Sequence, residues 1–210
     1  MATLADMVAR IADDLDRSDL DTQIAVAVNR AISHYAGKTF WFNEGSGTFT
    51  TVAATQTYTT SSTSPLPSYI KEINQLRLNN GSGSLLTLTR RSLKWLLETN
   101  VSGTTTQGEP TDYCWYDDTL YLYPTPDDAY AVTVYYTKGY ATLTLADSND
   151  FTTAAEDLIE ARATWWVAAR LLKDYARAQF SKVEEMEALA SLIERSERLI
   201  ATGQLARSYL

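Results

Sequence analysis

The chain has one cysteine, one histidine and no apolar run close to the roughly eighteen residues that a membrane-spanning helix requires. The lone Cys114 excludes an intramolecular disulfide and any multi-cysteine metal site, a usage in keeping with synthesis in a reducing cytoplasm. The lone His34 cannot build a His-rich metal site, and Ser or Cys catalysis would need it beside a nucleophile. Basic residues are few: 18 Lys and Arg stand against 26 Asp and Glu, for a net charge of -8. The densest basic cluster is Arg90, Arg91 and Lys94, too small for a general nucleic-acid binder, which grips phosphates with clustered cations. The opening MATLADMVARIADDLD has acids in its first turns and no apolar core of signal-peptide type, so a helix is expected there and not a secretory leader.

What is present is ordinary for a soluble globular protein: 45% hydrophobic and 21% charged residues, over 210 residues that suffice to bury a core. Leu4, Val8, Ile11 and Leu15 recur at helical spacing behind Thr3, a natural N-cap. Ser18, with Asp21 three residues on, is expected to open a second helix whose stripe runs Ile24, Val28, Ala31 or Ile32, and Tyr35, with Gly37 as its stop. Residues 1–37 thus read as a helical pair.

The texture changes at residue 38. From there to 151 the chain alternates and is rich in Thr, Ser, Tyr, Gly and Val, the pattern of an antiparallel β-domain. KTFWFNEG and GTFTTVAATQTYTT read as strands, a further strand is expected around 70–78, and a turn at Asn80-Gly81. A short helix is expected near 91–99, on Leu93, Trp95, Leu96 and Leu97, followed by an exposed polar loop. Tyr113, Trp115, Leu120 and Leu122 alternate about Asp117-Asp118-Thr119, which spells a tight hairpin. A second turn over residues 124–128 leads to AYAVTVYYTKG, the third strand of a meander. Helical spacing returns over 152–202 as a hairpin: a largely buried helix from about 153 to 176, then one from about 179 to 201 with Val183, Met186, Leu189 or Ala190, Ile193 and Ile200 facing inward. Residues 203–210 form an extended tail. The fold class is therefore α+β: a helical bundle built from both chain termini, with an inserted antiparallel β-domain that is a meander, sandwich or small barrel.

Little in this pattern carries catalysis. The pairs Asp117-Asp118 and Asp127-Asp128 could be offered for glycoside hydrolysis, but adjacent acids in turns serve the backbone and stay solvated. Cys114 reads as a small strand residue and His34 as a bundle-edge residue. GSGS at 81–84 lacks the lysine and long helix of a phosphate loop. No catalytic residue, metal site or cofactor is expected. The thirteen tyrosines and five tryptophans allow an assembly face or a carbohydrate-binding face, with Trp115, Tyr121 and Tyr123 as the candidate contacts. Tyr121 and Tyr123 would share one strand face, opposite Leu120 and Leu122.

With those residues in view, the chain resembles the head-to-tail adaptor (connector) proteins of tailed bacteriophages. The likeness lies in the order of its parts: the N-terminal helical pair, FWFNEGSGTFTT, YTTSSTSPLPSYIKEINQLRL, GEPTDYCWYDDTLYLYPTPDDAYAVTVYYTK, and the long C-terminal helical hairpin. Gly108, Pro110 and Tyr113 match the family's Gly-x-Pro-x-x-Tyr; Leu120, Leu122, Pro124, Pro126 and Asp127 match its Leu-x-Leu-x-Pro-x-Pro-Asp. One departure is the Ser/Thr-rich stretch before Pro67, where the family has a direct Tyr-x-Leu-Pro run. The resemblance implies a structural virion protein at the head–tail junction, made in the host cytoplasm, that forms a dodecameric ring under the portal protein. It implies that the ring docks tail proteins and continues the channel through which DNA passes without specific binding, with no membrane involved. It also implies that the C-terminal tail, through Leu205, Arg207, Tyr209 and Leu210, grips the portal. The alternatives are another tail protein (completion or tube), a carbohydrate-binding β module and, last, a small hydrolase using the acidic turns.

Overall fold

The computed structural model describes residues 1–60, 66–81, 84–99 and 106–201, the last two as backbone alone. The chain is a mixed α+β protein with six α-helices and two largely antiparallel sheets among the described residues. The described residues divide into two units: residues 1–43 with 140–201, and residues 44–139.

In the first unit, α1 (Leu4–Asp14) starts at Thr3, whose hydroxyl accepts from the Asp6 N–H while the Asp6 carboxylate accepts from the Thr3 N–H. This reciprocal box satisfies two helix-end donors. Helix α2 (Asp21–Tyr35) begins later than Ser18 suggests. Arg17 and Asp19 pair side chain to side chain at 2.7 Å, and Leu20, buried, occupies the cap position without a side-chain bond. Ala36 ends the helix, and Gly37 follows without a left-handed φ.

The expected strand in KTFWFNEG is absent over 38–43. Phe40 stacks on Phe42 at 5.3 Å, both rings meet Phe151 edge-on, and Trp41 lies under Arg195, so three consecutive aromatics pack on the helices. A strand would have turned them alternately away. Residues 140–149 likewise go with the helices. Asn29 donates to the Leu143 carbonyl at 3.2 Å and accepts from its N–H at 2.8 Å, and Leu4 and Ala5 donate to the Asp147 and Leu145 carbonyls. The sheet-bearing unit is therefore 44–139, shorter at both ends than the 38–151 of the sequence pattern.

The helices beyond are more broken than periodicity suggests. Asn149 caps α4 (Asp150–Ala154), and Ala155 separates it from α5 (Glu156–Val167). A π-helical turn over Ala168–Leu172 follows, and Lys173 adopts φ 58°. Asp174 then accepts from the Arg177 N–H at 3.0 Å and starts α6 (Tyr175–Ala201). The reversal thus falls at Lys173-Asp174, four or five residues before the expected one, because Asp174 supplies the cap. The unit's buried core draws on Met7 and Ile11, Ile24 and Val28, Phe40, Phe151, Leu158 and Ile159, and Leu192.

In the second unit the strands are β1 (Glu44–Thr50), β2 (Thr57–Thr59), β3 (Ile70–Asn79), β4 (Leu85–Thr87), β5 (Thr89–Arg90), β6 (Asp112–Tyr116), β7 (Thr119–Tyr123) and β8 (Ala131–Lys138), with α3 (Leu93–Thr99) between β5 and β6. One sheet has the order β1-β8-β3-β4 and the other β2-β7-β6-β5. The β6–β7 hairpin is as its residues spell it: Tyr113 pairs with Leu122 and Trp115 with Leu120. Its turn residues Asp117 and Asp118 sit at φ 50° and 52°, the mirror-image turn that suits strand twist. The meander stops there. Strand β8 does not pair with β7 but lies between β1 and β3 in the other sheet. Thr51 fastens the crossing, donating to the Asp128 carbonyl at 2.9 Å and accepting from the Tyr130 N–H at 2.8 Å. The two sheets share one core, with Phe49, Ile73, Leu76, Val132 and Val134 from the first and Tyr58, Leu120 and Leu122 from the second, and no barrel closes.

Candidate functional site

On the hairpin, cross-strand register places Tyr113, Trp115, Leu120 and Leu122 on the core face, and Cys114, Tyr121 and Tyr123 on the other. Trp115 is half-buried against the core, so it shares no surface with Tyr121 and Tyr123. Tyr123 is met edge-on by Trp95 of α3 at 5.5 Å, and Arg91 lies 5.0 Å over that Trp95. The chain's own short helix thus covers part of the outer aromatic face. The portal-contact candidates Leu205, Arg207, Tyr209 and Leu210 lie outside the described residues.

The acidic turns do backbone work. Asp117 and Asp118 form the exposed hairpin turn; Asp127 accepts from the Tyr130 hydroxyl at 2.7 Å, and Asp128 from the Ala129 N–H. Burial pushes the Cys114 thiol up, against the pull of the Arg90 charge, so the reactive thiolate is disfavoured. His34 is exposed on α2, its pKa lowered by desolvation and then by the Arg162 charge. Among the described residues no three His, Cys, Asp or Glu side chains stand together as metal ligands.

The most organised polar group lies in the helical unit, and periodicity does not mark it. Glu185 of α6, 2% exposed, accepts from the Tyr35 hydroxyl, from Arg162 at 3.0 Å and from Lys182 at 2.8 Å. Desolvation raises its pKa, but these donors outweigh it and hold the carboxyl below its ordinary value. Tyr35 is driven the opposite way by burial and by that carboxylate. Arg162 and Lys182 also lie over the Trp165 ring, at 4.7 and 5.6 Å. Three helices are joined by one buried charge.

That arrangement turns several of the expected inward positions of α6 outward. Its inward positions are Ala178, Ser181, Glu185, Leu192 and Ser196. Tyr175, Phe180, Val183, Met186 and Ile193 are instead 67, 66, 54, 63 and 42% exposed. Of the positions expected to face the core, Leu189 packs on it, Val183, Met186 and Ile193 do not, and the Ile200 side chain lies outside the described residues; the small and polar residues fit the close approach of α5, while most of the bulky ones point away. The recurrence of small residues at 178, 181, 188 and 196 was the signal available for this. Nearby, Arg10 pairs with Glu156 and, at 2.8 Å, with Glu160 in a cleft also lined by Asp14, Asp157 and Glu184. Burial raises the Glu160 and Glu184 carboxyls, and neighbouring acids add to it.

The comparison with known families defines the class. The family model described as SU10 adaptor protein matches residues 2–208. The chain belongs to that family, whose members are phage head-to-tail adaptors, and the role it inherits is structural. No curated protein matches the chain. No helix among the described residues is long and apolar enough to cross a membrane.

Proposed function

We propose that the chain acts without catalysis as a head-to-tail adaptor: copies form a ring, dodecameric in this reading, that seats under the capsid portal, docks tail proteins and continues the DNA channel. The observation that carries it is the family match over residues 2–208, because it embraces both units and not one module alone. In this reading the helices from the two chain ends form the bundle that packs side by side around the ring. Such head-to-tail contacts close only when the rotation per copy suits. The segment 203–210 grips the portal through Leu205, Tyr209 and Leu210 as apolar anchors and Arg207 as a donor to carboxylates or carbonyls. Tyr121 and Tyr123 serve tail or neighbour contacts, with Trp115 stiffening the strand behind them. A net charge of -8 lets DNA slide past without sticking.

Native mass spectrometry of the chain mixed with the portal ring of the same phage tests this. A portal ring loaded with a fixed number of copies is the expected result; folded chain and intact portal that do not associate would overturn it. Deleting 203–210 is expected to leave the fold intact and abolish loading, and undiminished loading would remove the tail from the portal contact.

A further inference from the structure

Asn80 is the one asparagine of the chain that glycine follows. Arg30, Glu44, Gln75, Asn80 and Asp150 follow the other described asparagines, and each carries a side chain that crowds the main-chain nitrogen nearest the asparagine amide. Gly81 carries none. It is exposed in the turn between β3 and β4 with φ 78°, and a Cβ built on it would meet nothing within 4 Å. Glycine adopts either sign of φ readily, so the turn can change shape here at little cost.

The Gly81 N–H donates to the Asn79 side-chain oxygen at 3.0 Å, an exposed bond across two residues that mimics a backbone turn. Strand β3 anchors the chain just before it. Leu78 is fully buried, and Asn79 pairs with Ala131 of β8 on one side and with Leu85 of β4 on the other. Asn80 and Gly81 lie beyond the end of that strand. The Gly81 nitrogen is thus held by a surface side chain and not by a strand ladder. Its N–H must leave Asn79 before the nitrogen can react, because an amide that gives up its proton also gives up that hydrogen bond.

We propose that Asn80 is a modification site: it deamidates spontaneously in the folded chain with water as the co-reactant, and the Asn79 side chain gates the reaction. The Gly81 nitrogen loses its proton to solvent base and attacks the Asn80 side-chain carbonyl carbon. A new C–N bond closes a cyclic imide, the original C–N bond of the side-chain amide breaks, and the nitrogen leaves as ammonia after taking a proton from solvent. Water then adds to either imide carbonyl and opens the ring to aspartate or isoaspartate, with no change of oxidation state. Each event adds one negative charge. The isoaspartyl product also routes the main chain through the Cβ of residue 80, a change confined to the turn because β3 is anchored up to Asn79. The chain therefore becomes a mixture of charge forms with age. The proposal stands on the turn and not on the adaptor reading, which portal loading tests separately.

The test is incubation of the full chain in mildly alkaline heavy-oxygen water, folded and in urea, followed by digestion and tandem mass spectrometry. Residue 80 of the folded chain should take up labelled oxygen, faster as pH rises, while circular dichroism stays unchanged. Its rate should fall no more than about tenfold below that in urea, the weight of one exposed hydrogen bond. Asn79→Ala should raise the folded rate by about two- to tenfold and leave the rate in urea little changed. Asn80→Gln should abolish the uptake, since the longer side chain closes a less favourable ring. A folded chain that keeps Asn80 while its urea-unfolded form converts would overturn the proposal, as would uptake at this peptide that survives Asn80→Gln. A folded rate indifferent to Asn79→Ala would overturn the gate.

Discussion

Replacing Glu185 by alanine removes the acceptor shared by Tyr35, Arg162 and Lys182 and leaves the two better-buried donors without that carboxylate. Arg162 is 20% exposed at its side chain and Tyr35 is buried, so neither is rescued fully by water. Breaking a buried ion pair from one side costs about 3–5 kcal/mol, because the remaining charge stays desolvated and uncompensated. Lys182, 43% exposed at its side chain, turns to solvent and adds little. For a chain of this size, about 2–4 °C of melting temperature go with each kcal/mol, so a fall of roughly 6–20 °C is expected in the transition of the helical unit. Because the chain has two units, the assay is hydrogen exchange resolved by peptide over α5 and α6, alongside the thermal scan. The sign with pH follows from the depressed carboxyl. Its stabilisation is present above the unfolded value, near about 4.3, and is lost as pH falls through the lower folded value. Protection in α6 should therefore fall with acid in the native chain, and the gap to Glu185→Ala should narrow there. A loss below about 1 kcal/mol at neutral pH, the ordinary scale of an exposed pair, would refute the reading of this cluster as the joint between three helices.

Two further outcomes follow from the sheet unit. Asp118→Val should cost about 1–2 kcal/mol in urea unfolding, since φ 52° is tolerated by Asp and disfavoured for a β-branched residue; an unchanged midpoint would count against the turn. Cys114 should resist a thiol reagent in the folded chain and react on denaturation, given its burial and raised pKa; rapid native labelling would place it outside the strand.

Much of the fold was legible because local chemistry and tertiary structure agree. Thr3 and Asp6 box the first helix, Gly81 with φ 78° turns the chain between β3 and β4, and Asp117-Asp118 reverses it between β6 and β7. Where the readings diverge, a long-range contact outweighs the local pattern. Phe40 and Phe42 pack on Phe151 and Trp41 lies under Arg195, and no local feature names Phe151 or Arg195 as their partners. Strand β8 has every mark of a meander's third strand, yet the Thr51 clasp carries it into the other sheet. The candidate contacts fared likewise: alternation paired Tyr121 with Tyr123 on one face, but Trp95 reaching back to Tyr123 depends on how α3 lies.

Helix α6 shows what periodicity measures. Residues 183, 186, 189 or 190, and 193 recur as a buried stripe should, and a hydrophobic row does mark a surface that avoids water. It does not state whether the covering surface is the chain's own core or another molecule's. Glu185 decides the matter here. A carboxylate bound by Tyr35, Arg162 and Lys182 can only be satisfied on the inward side, and its position fixes the rotation of the helix about its axis. Once Glu185 points in, Val183 and Met186 must point out, since neighbouring helical positions lie about 100° apart. The buried charge thus sets the direction of the apolar face, and exposing that face is what a protein built for assembly requires of its longest helix.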